Sequence, residues 1–76
     1  MKFREFEFLI CSPFDKEKLT CEIYYKDELI ADISQEEDMK LSIYPPEKNQ
    51  SWHLPLTDFQ EAIIQAKMHL LGITSY

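Results

Sequence analysis

The chain has 76 residues, enough for one domain spanning 1–76 whose folding buries roughly 60% of the surface of the unfolded chain; that argues against an enclosed small-molecule site of the usual ~300 Å³ or more. Fourteen acidic residues against eight basic ones leave a net charge of −6, the wrong sign for direct phosphate contact, so nucleic-acid binding is not expected. No stretch approaches the ~20 apolar residues of a membrane span, and Arg4, Glu5 and Glu7 interrupt what could otherwise pass for a secretory signal, so a cytoplasmic protein is expected.

Residues 5–11 begin the ordered pattern: Phe6, Phe8 and Ile10 alternate with Glu5, Glu7 and Leu9, the period of a half-buried strand. Ser12-Pro13-Phe14-Asp15 breaks it, because proline has no ladder N–H and Ser and Asp bond the turn backbone with their own side chains. From Leu19 the alternation resumes, with Leu19, Cys21, Ile23 and Tyr25 on one face and Thr20, Glu22 and Tyr24 on the other. Lys26-Asp27 is a polar connection to a strand over 28–34, in which Leu29, Ala31 and Ile33 alternate with Ile30, Asp32 and Ser34; the two strands form a hairpin whose turn lacks glycine. Gln35 to Asp38 is an acidic link, and Met39, Leu41 and Ile43 give a further strand that Pro45-Pro46 ends.

Residues 45–56 read as an irregular connection anchored by Trp52, Leu54 and Leu56, with room for a short edge segment near Trp52 and His53. Thr57 and Gln60 have the spacing of a reciprocal cap, in which each side chain satisfies the other's backbone N–H, and Asp58 complements the helix dipole. Phe59, Ile63, Ala66 and Leu70, with Ala62 alongside, form one apolar stripe, and Gly72 is the expected stop. The predicted fold is α+β: a four-stranded antiparallel meander with one C-terminal amphipathic helix packed on one face, in the order ββββα, leaving the other face open.

Cys11 and Cys21 sit ten residues apart on segments read as apolar strands, and with no secretion expected this points to two reduced, packed thiols. His53 and His69 have no partner at zinc-ligand spacing. A calcium loop starting at Asp32 would need glycine at Glu37 and a bidentate glutamate at Ile43, and has neither. One glycine cannot build a phosphate loop, and no Ser, Thr or Cys has a base at a recognisable spacing. No catalytic residue, metal or cofactor is expected.

The charge pattern is more informative. Between Glu22 and Asp38 stand seven acids (Glu22, Asp27, Glu28, Asp32, Glu36, Glu37, Asp38) and one base, Lys26, so this segment carries the whole net charge. Such a concentration steers a basic partner and disfavours others, or serves only to keep a small sheet protein soluble and guard an edge. Tyr24, Tyr44 and Trp52 admit two readings of their own: large contacts on an uncovered surface, or cross-strand packing and a lid over the core.

The runs Leu19-Thr20-Cys21-Glu22-Ile23-Tyr24-Tyr25, Leu29-Ile30-Ala31-Asp32-Ile33-Ser34-Gln35-Glu36, Leu41-Ser42-Ile43-Tyr44-Pro45-Pro46 and Leu56-Thr57-Asp58-Phe59-Gln60-Glu61-Ala62-Ile63, with Trp52 before the last, resemble small bacterial immunity proteins of polymorphic-toxin and contact-dependent growth inhibition systems. The resemblance spans residues 19–71 and departs in the first strand. It implies a non-enzymatic inhibitor that binds and neutralises a cognate toxin domain, often a basic nuclease. The expected contact residues are Asp32, Glu36, Glu37 and Asp38, framed by Tyr24, Tyr44 and Trp52. The alternative is a small self-associating protein, a homodimer with no toxin partner, which a short chain with a limited core would favour.

Overall fold

Alternating side chains make a sheet by giving it one wet and one dry face, and this chain uses the device in most of its strands. In the computed structural model, which describes residues 2–12, 19–35, 38–47 and 51–72, the strands are β1 (Lys2–Phe3), β2 (Phe6–Cys11), β3 (Thr20–Tyr25), β4 (Glu28–Gln35) and β5 (Met39–Ile43), followed by helix α1 (Leu56–Leu70). They form one antiparallel meander in the order β1-β2-β3-β4-β5. The α+β class and the helix packed on the sheet agree with the sequence pattern, but the sheet has five strands, not four. The extra strand, β1, is two residues long; it folds back on β2 through Arg4 and Glu5, with Arg4 at a φ of 53°. A pair this short leaves no periodicity to read.

The β3–β4 hairpin closes on Lys26 and Asp27, both at positive φ (49° and 68°), the conformation of a two-residue type I′ turn reached without glycine. Four residues on, a bulge changes the faces. Ile23 is opposite Ala31 but Tyr24 is opposite Leu29, so Ile30 is an extra residue on β4. The strict alternation expected for 28–34 therefore fails at its first turn: Leu29 shares the face of Tyr24, and Ile30 is driven into the core, where it is 1% exposed.

The core consists of Phe6 and Phe8 from β2, Cys21 and Ile23 from β3, Ile30, Ala31 and Ile33 from β4, and Ala62, Ala66 and Leu70 from the helix. Ala62 and Ala66 have no side chain beyond Cβ, which lets α1 settle closely over β2, β3 and β4. Phe6 holds both layers together, its ring 4.9 Å from that of Tyr25 and 5.9 Å from that of Phe59.

The helix begins earlier than the Thr57–Gln60 spacing implied. Pro55 is extended (φ −62°, ψ 116°) and its carbonyl accepts the Phe59 N–H at 2.8 Å, so Thr57 lies inside the first turn and no side-chain cap is made. Asp58 occupies that turn as expected and pairs with Arg4 at 3.2 Å. At the other end Gly72, at a φ of 73°, donates its N–H to the His69 carbonyl at 3.1 Å, and the Gln35 amide reaches the Leu70 carbonyl at 3.4 Å. Among the described residues between β5 and α1 there is no strand near Trp52 and His53. No described helix is long and apolar enough to cross a membrane.

Candidate functional site: an acidic, tyrosine-framed sheet face

The face of the sheet opposite α1 carries the chemistry. Register sets its rows. Leu9, Glu22, Asp32 and Ser42 stand side by side across β2, β3, β4 and β5; Glu7 and Tyr24 form the row on one side, and Cys11, Thr20, Ser34 and Lys40 the row on the other. Glu22 and Asp32 are thus directly opposite each other on neighbouring strands, a placement that brings Cβ atoms within about 5 Å and sets two negative charges against each other.

Each carboxylate is held by a tyrosine. Tyr24, two residues along β3, donates its hydroxyl to Glu22 Oε1 at 2.9 Å, and Cys11 on β2 directs its thiol to the same oxygen at 3.4 Å. Tyr44, just past β5, donates its hydroxyl to Asp32 Oδ2. These donors are tuned by what they bond. The hydrogen bond to Asp32, then burial and the charges of Asp32 and Glu22, push the Tyr44 hydroxyl up to about 12. The bond to Glu22 raises Tyr24, with burial and charge adding to it. Burial, then the bond to Glu22 and its charge, raise the Cys11 thiol. All three therefore keep their protons at neutral pH and act as donors; Cys11 in particular is held away from the thiolate a nucleophile needs. Thr20 Oγ1, in the next row, is buried with no hydrogen-bond partner.

Beside this centre, Glu7, Phe8, Leu9, Tyr24 and Asp27 line an open depression of about 340 Å³, in which Leu9 is half exposed. The acids Glu7, Glu22 and Asp32 thus run across three strands of one face. The ion pairs Arg4–Asp58 and Lys26–Glu5 stand at the end of the sheet where β2 begins. Among the described residues no three His, Cys, Asp or Glu side chains converge as a metal site.

Of the residues expected from the sequence to meet a partner, Asp32, Tyr24 and Tyr44 are brought together on this face. Asp38 is exposed ahead of β5, and Glu36 and Glu37 lie outside the described residues. Trp52 donates its indole N–H to the Tyr44 carbonyl at 2.7 Å, and its half-buried ring packs against the core. In the sequence Glu22 is one acid among seven; in the fold it accepts two donors and sits at the centre. The signal lay in Glu-x-Tyr at strand spacing, which puts both side chains on one face.

Cys11 and Cys21 fall on opposite faces of adjacent strands, Cys21 opposite Ile10 and Cys11 opposite Thr20, so both are free thiols that cannot meet in this fold. No family model, curated protein or solved structure matches the chain.

Proposed function

We propose that this chain is an immunity-type inhibitor, a non-catalytic cytoplasmic protein that binds and neutralises a basic, nuclease-like toxin domain. The observation that carries the reading is the Glu22–Asp32 pair on the uncovered sheet face, each carboxylate oriented by a tyrosine hydroxyl. Two like charges held together at a surface are unfavourable alone and become favourable when a guanidinium or ammonium group is placed over them. Tyr24 and Tyr44 add flat area for contact with that group at low entropic cost. The resemblance of residues 19–71 to immunity proteins supplies the biological class.

The test is affinity capture of the tagged protein from its native lysate at low and moderate salt, with mass spectrometry of what is retained. The expected result is a basic toxin-like domain at near one-to-one ratio, lost as salt rises, and lost in the Glu22→Gln, Asp32→Asn double variant. A partner held equally well by that variant, with the same salt dependence, would sink the electrostatic reading.

A further inference from the structure

The edge of the sheet at β5 has its own chemistry. Helix α1 covers β2, β3 and β4, and of the apolar side chains that β5 presents on the same side Met39 packs against the core while the other two are left in water: Leu41 is 44% exposed and Ile43 61%. Between β5 and the helix runs an open groove of about 290 Å³ lined by Ile33, Met39, Leu41, Ile63 and Lys67. Ile64, on the next step of the helix, is half exposed.

The backbone of β5 is just as specific. Tyr44 N–H bonds the Ile30 carbonyl at 2.9 Å, and antiparallel ladders alternate. It follows that Ser42 and Lys40, in step with the Tyr44 N–H, turn their N–H and C=O groups toward β4, while Met39, Leu41 and Ile43 turn theirs outward. The three residues with outward backbone groups are the three with apolar side chains on the helix side.

We infer that β5 pairs with β5 of a second copy of this chain, antiparallel about a two-fold axis at Leu41, to give one continuous ten-stranded sheet with both helices on the same side. In that register Leu41 meets Leu41, Met39 meets Ile43, and Lys40 meets Ser42. All outward N–H and C=O groups of Met39, Leu41 and Ile43 find partners, about six hydrogen bonds in all. Apolar side chains meet apolar ones above the sheet, and no like charges are opposed below it. A second copy fits better than a foreign strand because the strand is complementary to itself. It also carries one base and no acid, so two chains of net charge −6 repel each other least at this edge.

The proposal is independent of the toxin reading, since Glu22 and Asp32 face the opposite side of the sheet, and salt separates the two. Salt screens the repulsion between two acidic copies and strengthens the dimer, whereas it weakens a complex with a basic protein. The experiment is light scattering on the purified chain from ~1 to ~200 μM, at low and moderate salt. Expected are a mass rising toward twice the 9.1 kDa of the chain, a greater dimer fraction at higher salt, and a monomer for Leu41→Lys and Ile43→Lys, whose exposed side chains can be changed with the circular dichroism spectrum retained. Register is read with a short bis-thiol cross-linker in a Cys11→Ser background: Leu41→Cys cross-links to itself, and Ser42→Cys, which faces Lys40 of the second copy, does so far less. A monomer at every concentration, a dimer that survives both lysine variants, or equal cross-linking at the two positions would each overturn the proposal.

Discussion

Glu22 and Asp32 face each other across β3 and β4 with no residue between them, and each is restrained by a hydroxyl from its own side: Tyr24 for Glu22, Tyr44 for Asp32. Like charges placed directly opposite in a sheet cost up to about 1 kcal/mol. Removing one charge while keeping an oxygen acceptor for the tyrosine relieves that cost. Asp32→Asn is expected to leave stability unchanged or raise it by about 0.5 kcal/mol, and to flatten the dependence of stability on salt. Urea denaturation of both proteins at low and high ionic strength checks this; a loss of more than about 1 kcal/mol would show that the pair holds the fold together.

The tyrosines give the protein a weakness at high pH. Tyr44 titrates near 12 when folded, above the ordinary tyrosine value near 10. Its contribution to stability is thus complete below pH ~10, where both states are protonated, and is lost as pH rises through the window to about 12, where the unfolded chain gives up its proton first. Tyr24, raised in the same direction, adds to the effect. Unfolding free energy should fall across this window and fall less steeply in Tyr44→Phe. In an ultraviolet titration of the folded protein, Asp32→Asn should move one tyrosine ionisation to lower pH.

The Lys26-Asp27 turn is held in a left-handed conformation that costs a residue with a side chain roughly 1 kcal/mol relative to glycine. Asp27→Gly keeps Lys26, whose ammonium lies 5.4 Å from the centre of the Tyr25 ring, and frees the second position. The expected gain is about 0.5–1 kcal/mol, read as a higher denaturation midpoint with an unchanged slope.

The two thiols should respond differently to alkylation. Cys21 is fully buried and its thiol is pushed up to about 11, by burial first, so it should remain unmodified until the chain unfolds. Cys11 is partly exposed but raised by burial and by its bond to Glu22; it should react slowly at neutral pH and faster in Glu22→Gln. Intact-mass measurement over a time course with iodoacetamide gives both rates. Rapid modification of Cys11 in the unaltered chain would contradict the assigned thiol environment.

Much of this molecule is local and therefore legible in its sequence. The alternation in β2, β3 and β5, the helical stripe from Phe59 to Leu70 and the stop at Gly72 each depend on neighbours a few positions away. What was hidden depends on pairing. Nothing near Ile30 announces that one residue will be skipped against β3, so period-two reading put Leu29 inside and Ile30 outside, the reverse of what the bulge does. Thr57 and Gln60 had the right spacing for a cap, but Pro55 with its extended backbone starts the helix first. The candidate site was half visible. Asp32 is legible as an acid of the charged segment, and Tyr24 and Tyr44 as aromatics suited to a surface; Glu22 is not singled out, because its importance comes from Asp32 lying opposite, a fact of register and not of composition.

The bond from the Trp52 indole to the Tyr44 carbonyl joins the chain's one tryptophan to the residue whose hydroxyl steadies Asp32. A ligand that draws Asp32 away from Tyr44 is expected to change the emission of the indole bonded to that residue's carbonyl, so that occupancy of the far face can be read without any label attached.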